Sequence, residues 1–375
     1  MTQTHTTTQI AIVGAGPIGL ELAISLERAN IDYLLIEAGQ VGDFFMQWPP
    51  ETHFFSTSEH VALAGIPVHN LDQRPISGEQ YLAYLRMLVE MFDLNLRLYE
   101  PVTHIQRQPD GFILTTAPLS GEKQIHCQQV VLATGGMAAP RLLNIPGEDL
   151  PNVTHYYPGP HPYFRQRLLV VGGRNSAVEG ALRSWRAGAQ VALSYRRPDF
   201  NWERIKPHMS MDLGDRLQKG EITFYPSTVP VEITPTHVVL EEVEDSAGNN
   251  SSDTSTKLSN PTLRTGRVHH IPTDFVYLAT GFVADMSLFA KAGVELDRET
   301  EAPTFNPDTM ETNVPGLYVA GTAAGGTQSK FTYFISTSHH HVAKIMYHMT
   351  GLFPEKLGTI TARNNAVTWE EVKAN

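Results

Sequence analysis

Glycines at fixed spacing are the first residues in this chain whose types dictate a chemistry. Val13-Gly14-Ala15-Gly16-Pro17-Ile18-Gly19 fits Gly-x-Gly-x-x-Gly. In that pattern one glycine makes a tight turn, the next lets backbone approach a pyrophosphate, and the last packs a helix closely on a strand. The N–H groups and positive dipole end of the following helix then face the phosphates. An acid roughly 20 residues further on holds a ribose hydroxyl. Glu37, closing Tyr33-Leu34-Leu35-Ile36, stands there. Gly14, Gly16, Pro17, Gly19 and Glu37 therefore define a dinucleotide site.

A second glycine turn, Gly172-Gly173-Arg174-Asn175-Ser176-Ala177, departs from the first pattern in its later positions. Alanine in place of the last glycine, at Ala177, is typical of sites for NADP, where helix and strand pack slightly further apart. Where an acid would close the next strand, the chain instead reads Ser194-Tyr195-Arg196-Arg197. An acid would repel a 2′-phosphate, whereas arginine pairs with it in a bidentate, charge-assisted manner. Gly172, Gly173, Asn175, Ser176, Ala177, Arg196 and Arg197 are the expected contacts of NADPH, in preference to NADH.

Each turn is followed by a strand-like run ending in Ala-Thr-Gly: Val130–Gly135 and Val276–Gly281. Thr134, Gly135 and Gly281 join the candidate cofactor contacts. A later run, Gly316-Leu317-Tyr318-Val319-Ala320-Gly321, resembles the strand that meets the flavin ribityl chain in two-dinucleotide flavoproteins, although Thr322 replaces the usual Asp. Gly321 and Thr322 thus assign the first turn to FAD. Gly325-Gly326-Thr327-Gln328 leads into a helix running to about Met349, whose N-terminal dipole would stabilise a reduced, anionic flavin ring.

These residues need strands and helices to hold them. Ile10–Val13 is an uncharged, β-branched run suited to a strand covered on both faces. Leu20–Asn30 carries apolar residues at helical spacing, and Ile31–Glu37 reads as the next strand. The same grammar recurs at Leu168–Val171, a helix through about Ala187, and the strand Gln190–Tyr195. The motif order implies an α/β chain with two Rossmann-like dinucleotide-binding domains, each with a central parallel sheet. An FAD domain, residues 1–160 and 282–375, receives an inserted NADPH domain, residues 161–281. Candidate junctions are the Pro-rich Pro151–Pro162 and the neighbourhood of Gly281. Between strand-like Val238–Val243 and His269–Leu278, the Ser/Thr/Asn/Gly-rich Glu244–Gly266 reads as an extended hairpin loop.

Length and charge set the outer limits. With 375 residues the chain has room for two domains with separate cores. A net charge of −11 argues against nucleic acid or an anionic membrane as partner, since both would repel it. Met1–Gln9 lacks the basic and apolar regions of a secretory signal, and Ile10–Leu26 is too interrupted to span a bilayer. The expected compartment is the cytoplasm. A single cysteine, Cys127, excludes an intrachain disulfide and any internal redox-active pair. It is expected at a strand edge as a half-buried small hydrophobe.

Further residues invite a role. Phe44, Phe45, Gln47 and Trp48, with His53–Thr57 behind them, are the expected flavin-proximal group, and Gln47 is placed to hydrogen-bond the ring. His339-His340-His341 falls on a helix, where successive residues diverge and three in a row do not converge on one ion. A helix surface is expected, with one histidine facing the flavin cavity as a proton donor, and no metal site. His269-His270 lies in a strand without an evident partner.

Beyond the glycine turns, Phe54-Phe55-Ser56-Thr57-Ser58-Glu59, His155-Tyr156-Tyr157, His161-Pro162-Tyr163-Phe164 and Val170–Glu179 resemble the YpdA-type family. These are the bacillithiol-disulfide reductases, relatives of low-molecular-weight thioredoxin reductase, and the likeness runs from about Ile10 to Ile345. The resemblance implies an FAD enzyme that uses NADPH to reduce the disulfide of a small thiol. Family members held to act through a thiol carry a cysteine in the first glycine turn after the proline; here Ile18 occupies it. The alternative is an NADPH-dependent electron-transfer reductase without redox cysteines, serving ferredoxin, flavodoxin or a quinone. A flavin monooxygenase ranks last, because Pro158-Gly159-Pro160-His161 does not match the Phe-x-Gly-x-x-x-His linker of that class. The expected partner is therefore a small-molecule disulfide or a redox protein, and relatives of this architecture are commonly homodimers.

Overall fold

A computed structural model describes residues 6–71, 73–245, 262–328 and 333–358. The chain divides into two compact units, one of residues 1–47, 51–139 and 282–375, the other of residues 48–50 and 140–281.

The first unit is built on a seven-stranded sheet. Its parallel part runs Leu96–Arg97, Tyr33–Ile36, Thr6–Val13, Lys123–Leu132 and Leu317–Val319. Lys123–Leu132 serves two neighbours on one edge. Its start pairs antiparallel with Gly111–Thr116, and its end pairs parallel with Leu317–Val319. That division explains how the late strand reaches the centre of the sheet although it lies far along the chain. Tyr33–Ile36 is buried at every position, as its unbroken apolar run requires of a strand covered on both faces. The helix after the first glycine turn spans Pro17–Arg28, three residues ahead of the expected start, because Pro17 is pre-shaped for the first helical position. It packs against the helix Ile335–Thr350.

The second unit carries a five-stranded, wholly parallel sheet in the order Thr223–Pro226, Gln190–Tyr195, Arg167–Val171, Phe275–Leu278, Val153–Thr154. Val153–Thr154 belongs to this sheet, so the chain enters the second unit at Pro140, earlier than the 160/161 boundary expected from the Pro-rich stretch. A three-stranded antiparallel sheet, Thr228–Ile233, His237–Asp245 and Thr262–Pro272, completes the unit. The single strand expected over His269–Leu278 is thus two. Thr273 turns the chain by bonding Thr236, and Asp274 pairs with Arg167 (Oδ1 to Nη2, 2.6 Å), so the second strand starts in a different sheet. Most of the expected loop Glu244–Gly266 lies outside the described residues.

No helix among the described residues is long and apolar enough to cross a membrane.

Candidate dinucleotide-binding sites

In the first unit, the glycine turn sits at the carboxyl ends of the parallel strands, where open α/β sheets bind ligands. Gly14 donates to the Ile36 carbonyl at 2.8 Å, and Ala133 donates to the Val13 carbonyl at 2.8 Å, tying the turn to both flanking strands. The three glycines differ in what surrounds them. A side chain on Gly14 (φ +109°) would lie 2.5 Å from the Ala133 carbonyl oxygen, and one on Gly19 would collide with the Gly14 carbonyl. One on Gly16 would meet nothing within 4 Å. Close packing fixes the outer two, and open space lies before the middle one. Gly16 caps the helix with no side-chain hydrogen bond, as its missing side chain requires.

Glu37 is bound to this turn. Its carboxylate accepts from Ala15 N at 2.7 Å and from Gly39 N at 2.9 Å, while burial raises its pKa. Thr134, two residues past the strand end, keeps a buried hydroxyl without a hydrogen-bond partner among the described residues, an orphan that a bound polar ligand would satisfy. The Thr322 hydroxyl lies 3.9 Å from where a Gly135 side chain would begin, and a Gly321 side chain would begin 3.4 Å from Ile18 Cβ and Cγ1. Gly14, Gly16, Pro17, Gly19, Glu37, Thr134, Gly135, Gly321 and Thr322 are therefore brought together. A cradle, an orphan donor and a carboxylate fit a flavin dinucleotide.

Gln47 ends the short helix Asp43–Met46 and is exposed, while Trp48 groups with the second unit. Phe45 is a core residue: its ring packs on Tyr81 (5.0 Å) and Phe54 (5.5 Å).

The second unit repeats the construction. Gly172 (φ +146°) donates to the Ser194 carbonyl at 2.9 Å, matching Gly14 on Ile36, and a side chain on it would lie 2.7 Å from the Ala279 carbonyl oxygen. Ala177 fits where Gly19 must be glycine, buried at 3.1 Å from the position of a Gly172 side chain. The Tyr195 ring covers Gly173, and Gly281 (φ +91°) faces open space. The helix Asn175–Arg186 begins without a side-chain cap, and Ser176 is exposed in its first turn. The side chain of Asn175 also ties down a loop. Its Oδ1 accepts from Lys206 N at 3.0 Å and its Nδ2 donates to the Arg204 carbonyl at 3.4 Å, so its side chain holds a loop.

Arg196 and Arg197 follow the adjacent strand, as the sequence places them. Arg174 and Arg204, which the motifs do not single out, lie close by. The Arg174 guanidinium is lowered in pKa by partial burial and by the positive charges of Arg204, Arg196 and Arg197. Arg141, lowered by burial and by Arg196, stands at the same end of the sheet, its carbonyl accepting from Thr280 Oγ1 at 2.8 Å.

The histidine expectations need correction. His339 and His341 are buried, at 4% and 3% exposure, rather than lining a helix surface. His339 Nδ1 meets Glu21 Oε2 at 2.5 Å, and His341 Nδ1 accepts from Gly321 N at 3.1 Å. Burial, helped by His340, Lys344 and His339, lowers the His341 pKa to about 3, so it is neutral and unsuited to donate a proton near neutrality. His269 does have a partner, Glu242, at 2.9 Å. Cys127 is 5% exposed within the strand Lys123–Leu132, and burial pushes its thiol up to about 12.

Two glycine-turn sites on parallel sheets, in one chain whose outer segments enclose an inserted unit, define a two-dinucleotide oxidoreductase. The description "Pyridine nucleotide-disulphide oxidoreductase" matches residues 11–321, and the chain belongs to that family. It is accordingly an oxidoreductase of the kind that combines a flavin with a pyridine nucleotide. The chain is 31% identical to the bacilliredoxin reductase Bdr of Bacillus subtilis (strain 168), over 88% of this chain and 94% of that protein. It is 26% identical to a ferredoxin–NADP reductase 2 of Listeria welshimeri, over 83% of each. Among solved structures, the bacillithiol disulfide reductase Bdr (YpdA) from Bacillus cereus superposes with a TM-score of 0.81 at 29% identity, covering 92% of this chain and 99% of that one.

Proposed function

We propose that the chain is an FAD-dependent NADPH oxidoreductase that reduces the disulfide of a low-molecular-weight thiol although it lacks the family cysteine. The observation that carries the reading is the pairing of two glycine-turn sites with different closing residues, Glu37 in the first and Arg196-Arg197 in the second. Gly14, Gly16, Pro17, Gly19, Glu37, Thr134, Gly135, Gly321 and Thr322 would hold FAD, with Gln47 and Trp48 as the expected neighbours of its ring. Gly172, Gly173, Asn175, Ser176, Ala177, Gly281, Arg196 and Arg197 would hold NADPH. When bound, the flavin accepts hydride from the nicotinamide, a step that needs positioning more than acid–base catalysis. The chain's own part is to seat phosphates on uncapped helix N-termini and to keep both sites rigid through backbone bonds.

The Bacillus cereus bacillithiol disulfide reductase supports a small disulfide as acceptor. The burial of Cys127, and Ile18 in place of the family cysteine, favour direct delivery of electrons. Those same residues support a second reading, an electron-transfer reductase for ferredoxin, flavodoxin or a quinone, in line with the ferredoxin–NADP reductase relatives. Anaerobic reduction of the purified yellow protein with NADPH and NADH, followed by bacillithiol disulfide, ferredoxin, quinone or oxygen, separates them. Turnover of the disulfide with one NADPH oxidised per two thiols formed supports the first reading. Turnover of ferredoxin or quinone alone supports the second, and a protein that binds no FAD overturns both.

A further inference from the structure

Two histidines on the solvent face of the three-stranded sheet take no part in the dinucleotide chemistry. Where His237–Asp245 pairs antiparallel with Thr262–Pro272, Val239 lies opposite His270 and His237 opposite Pro272. His237 and His270 are therefore diagonal neighbours on one face. Val238 and Ile271 alternate with them and enter the core, which leaves the histidine face to water. His270 is exposed and His237 half-buried. Their ring centres lie 5.3 Å apart, with the planes inclined at 43°. Two imidazoles on one tetrahedral ion, each bonded through a nitrogen at about 2.0–2.1 Å, hold their ring centres about 5 Å apart.

His237 is also oriented by its own turn. The Thr234 hydroxyl donates to the His237 carbonyl at 2.9 Å and lies 2.9 Å from His237 Nδ1. With its one proton on the carbonyl, that hydroxyl accepts from Nδ1–H, and the ring's lone pair falls on Nε2. A hydrogen bond on the other nitrogen, fixing tautomer and ring direction, is the support that a ligating histidine needs. Glu232, opposite Val239 on the neighbouring strand, adds a carboxylate to the same face. Among the described residues no three His, Cys, Asp or Glu are placed to hold an ion together, so water would fill the remaining positions.

We propose that His237 and His270 form an open two-histidine clip for a divalent transition ion of the zinc, nickel or copper type, for which imidazole is a matching ligand. The ion would tie His237–Asp245 to Thr262–Pro272 and keep exchangeable positions facing solvent. The clip uses no residue of either glycine turn, so it stands or falls apart from the proposed redox function.

Calorimetric titration of the FAD-loaded protein with zinc chloride tests this. H237A and H270A should each weaken zinc binding at least about tenfold, since one imidazole cannot clip an ion alone, and T234V should weaken it by about threefold to tenfold. H208A, on the helix Pro207–Gln218 of the same unit, should leave it unchanged. NADPH-driven flavin reduction should be equal in all four variants, which shows that they fold. Copper(II) added to the wild-type protein should give an electron paramagnetic resonance spectrum with two coordinated nitrogens, and one fewer in H270A. Zinc binding that survives both H237A and H270A overturns the clip, as does a wild-type protein that takes up no zinc at about 1 mM. A copper spectrum without nitrogen coupling overturns it as well, whatever the fate of the variants.

Discussion

Ile18 packs against Gly321: a side chain added to that glycine would begin 3.4 Å from Ile18 Cβ and Cγ1. Gly321 holds φ +69° and donates its N–H to His341, so first turn, late strand and final helix meet at one point. Ile18 is 6% exposed and thus part of this packing, which makes its side chain a structural element of the flavin unit. Ile18→Cys is expected to cost about 1–2 kcal/mol through the smaller side chain, while NADPH-driven flavin reduction stays within about twofold of wild type. Urea unfolding and anaerobic stopped-flow traces check the two halves. A tenfold slower reduction would show that the contact also sets flavin geometry.

The three glycines of the first turn should fail in different ways. Gly14→Ala and Gly19→Ala place a carbon against the carbonyls of Ala133 and Gly14, and should destabilise the apoprotein by about 2–3 kcal/mol. Gly16→Ala meets no protein atom, so apoprotein stability should move by less than about 0.5 kcal/mol. Its methyl group instead enters the space proposed for the pyrophosphate, and FAD affinity should drop at least tenfold, a loss of about 1.4 kcal/mol. Thermal melts of the apoprotein with FAD titration separate the two kinds of damage.

Cys127 should be silent. With its thiol pushed up from 9.0 to about 12 by burial, it should resist a disulfide reagent at pH 8 until the protein is unfolded. The folded state favours the neutral thiol, so its contribution to stability is complete below pH 9 and disappears as pH rises toward 12. The stability difference between wild type and Cys127→Ala should shrink over that window, and turnover at pH 7.5 should be unchanged.

His341 has the opposite sign. Its folded pKa lies near 3 against an ordinary 6.5, so the stability tied to its neutral form is present above 6.5 and erodes as pH falls toward 3. His341→Gln keeps an acceptor for Gly321 N and cannot be protonated there. This variant should lose less stability than wild type between pH 7.5 and pH 5, as read from urea midpoints. An equal loss in both proteins would mean that other groups carry the acid sensitivity.

What could be read from the chain was what depends on neighbours in sequence. Gly14, Gly16 and Gly19 lie within six residues, and their spacing already encodes turn, approach and packing; the Tyr33–Ile36 run needs no partner to declare itself a covered strand. The histidine triplet shows the limit. Three successive histidines look like a solvated helix face, and only the buried Glu21 carboxylate, 318 positions earlier, brings His339 inside. Asn175 was legible as part of a phosphate-binding pattern, but its amide is spent on a loop about thirty residues away.

The sequence by itself therefore determined the class of chemistry: two helix N-termini opened by glycine, one closed by an acid and one by arginines, on parallel strands whose apolar runs demand coverage on both faces. Those are local consequences of backbone sterics, dipoles and charge. Tertiary structure decided which polar groups remain for a ligand, because burial and hydrogen-bond satisfaction are settled between distant segments. It sealed Cys127 inside a strand, set Ile18 on Gly321, made His341 an acceptor, and left the Thr134 hydroxyl without a hydrogen-bond partner among the described residues.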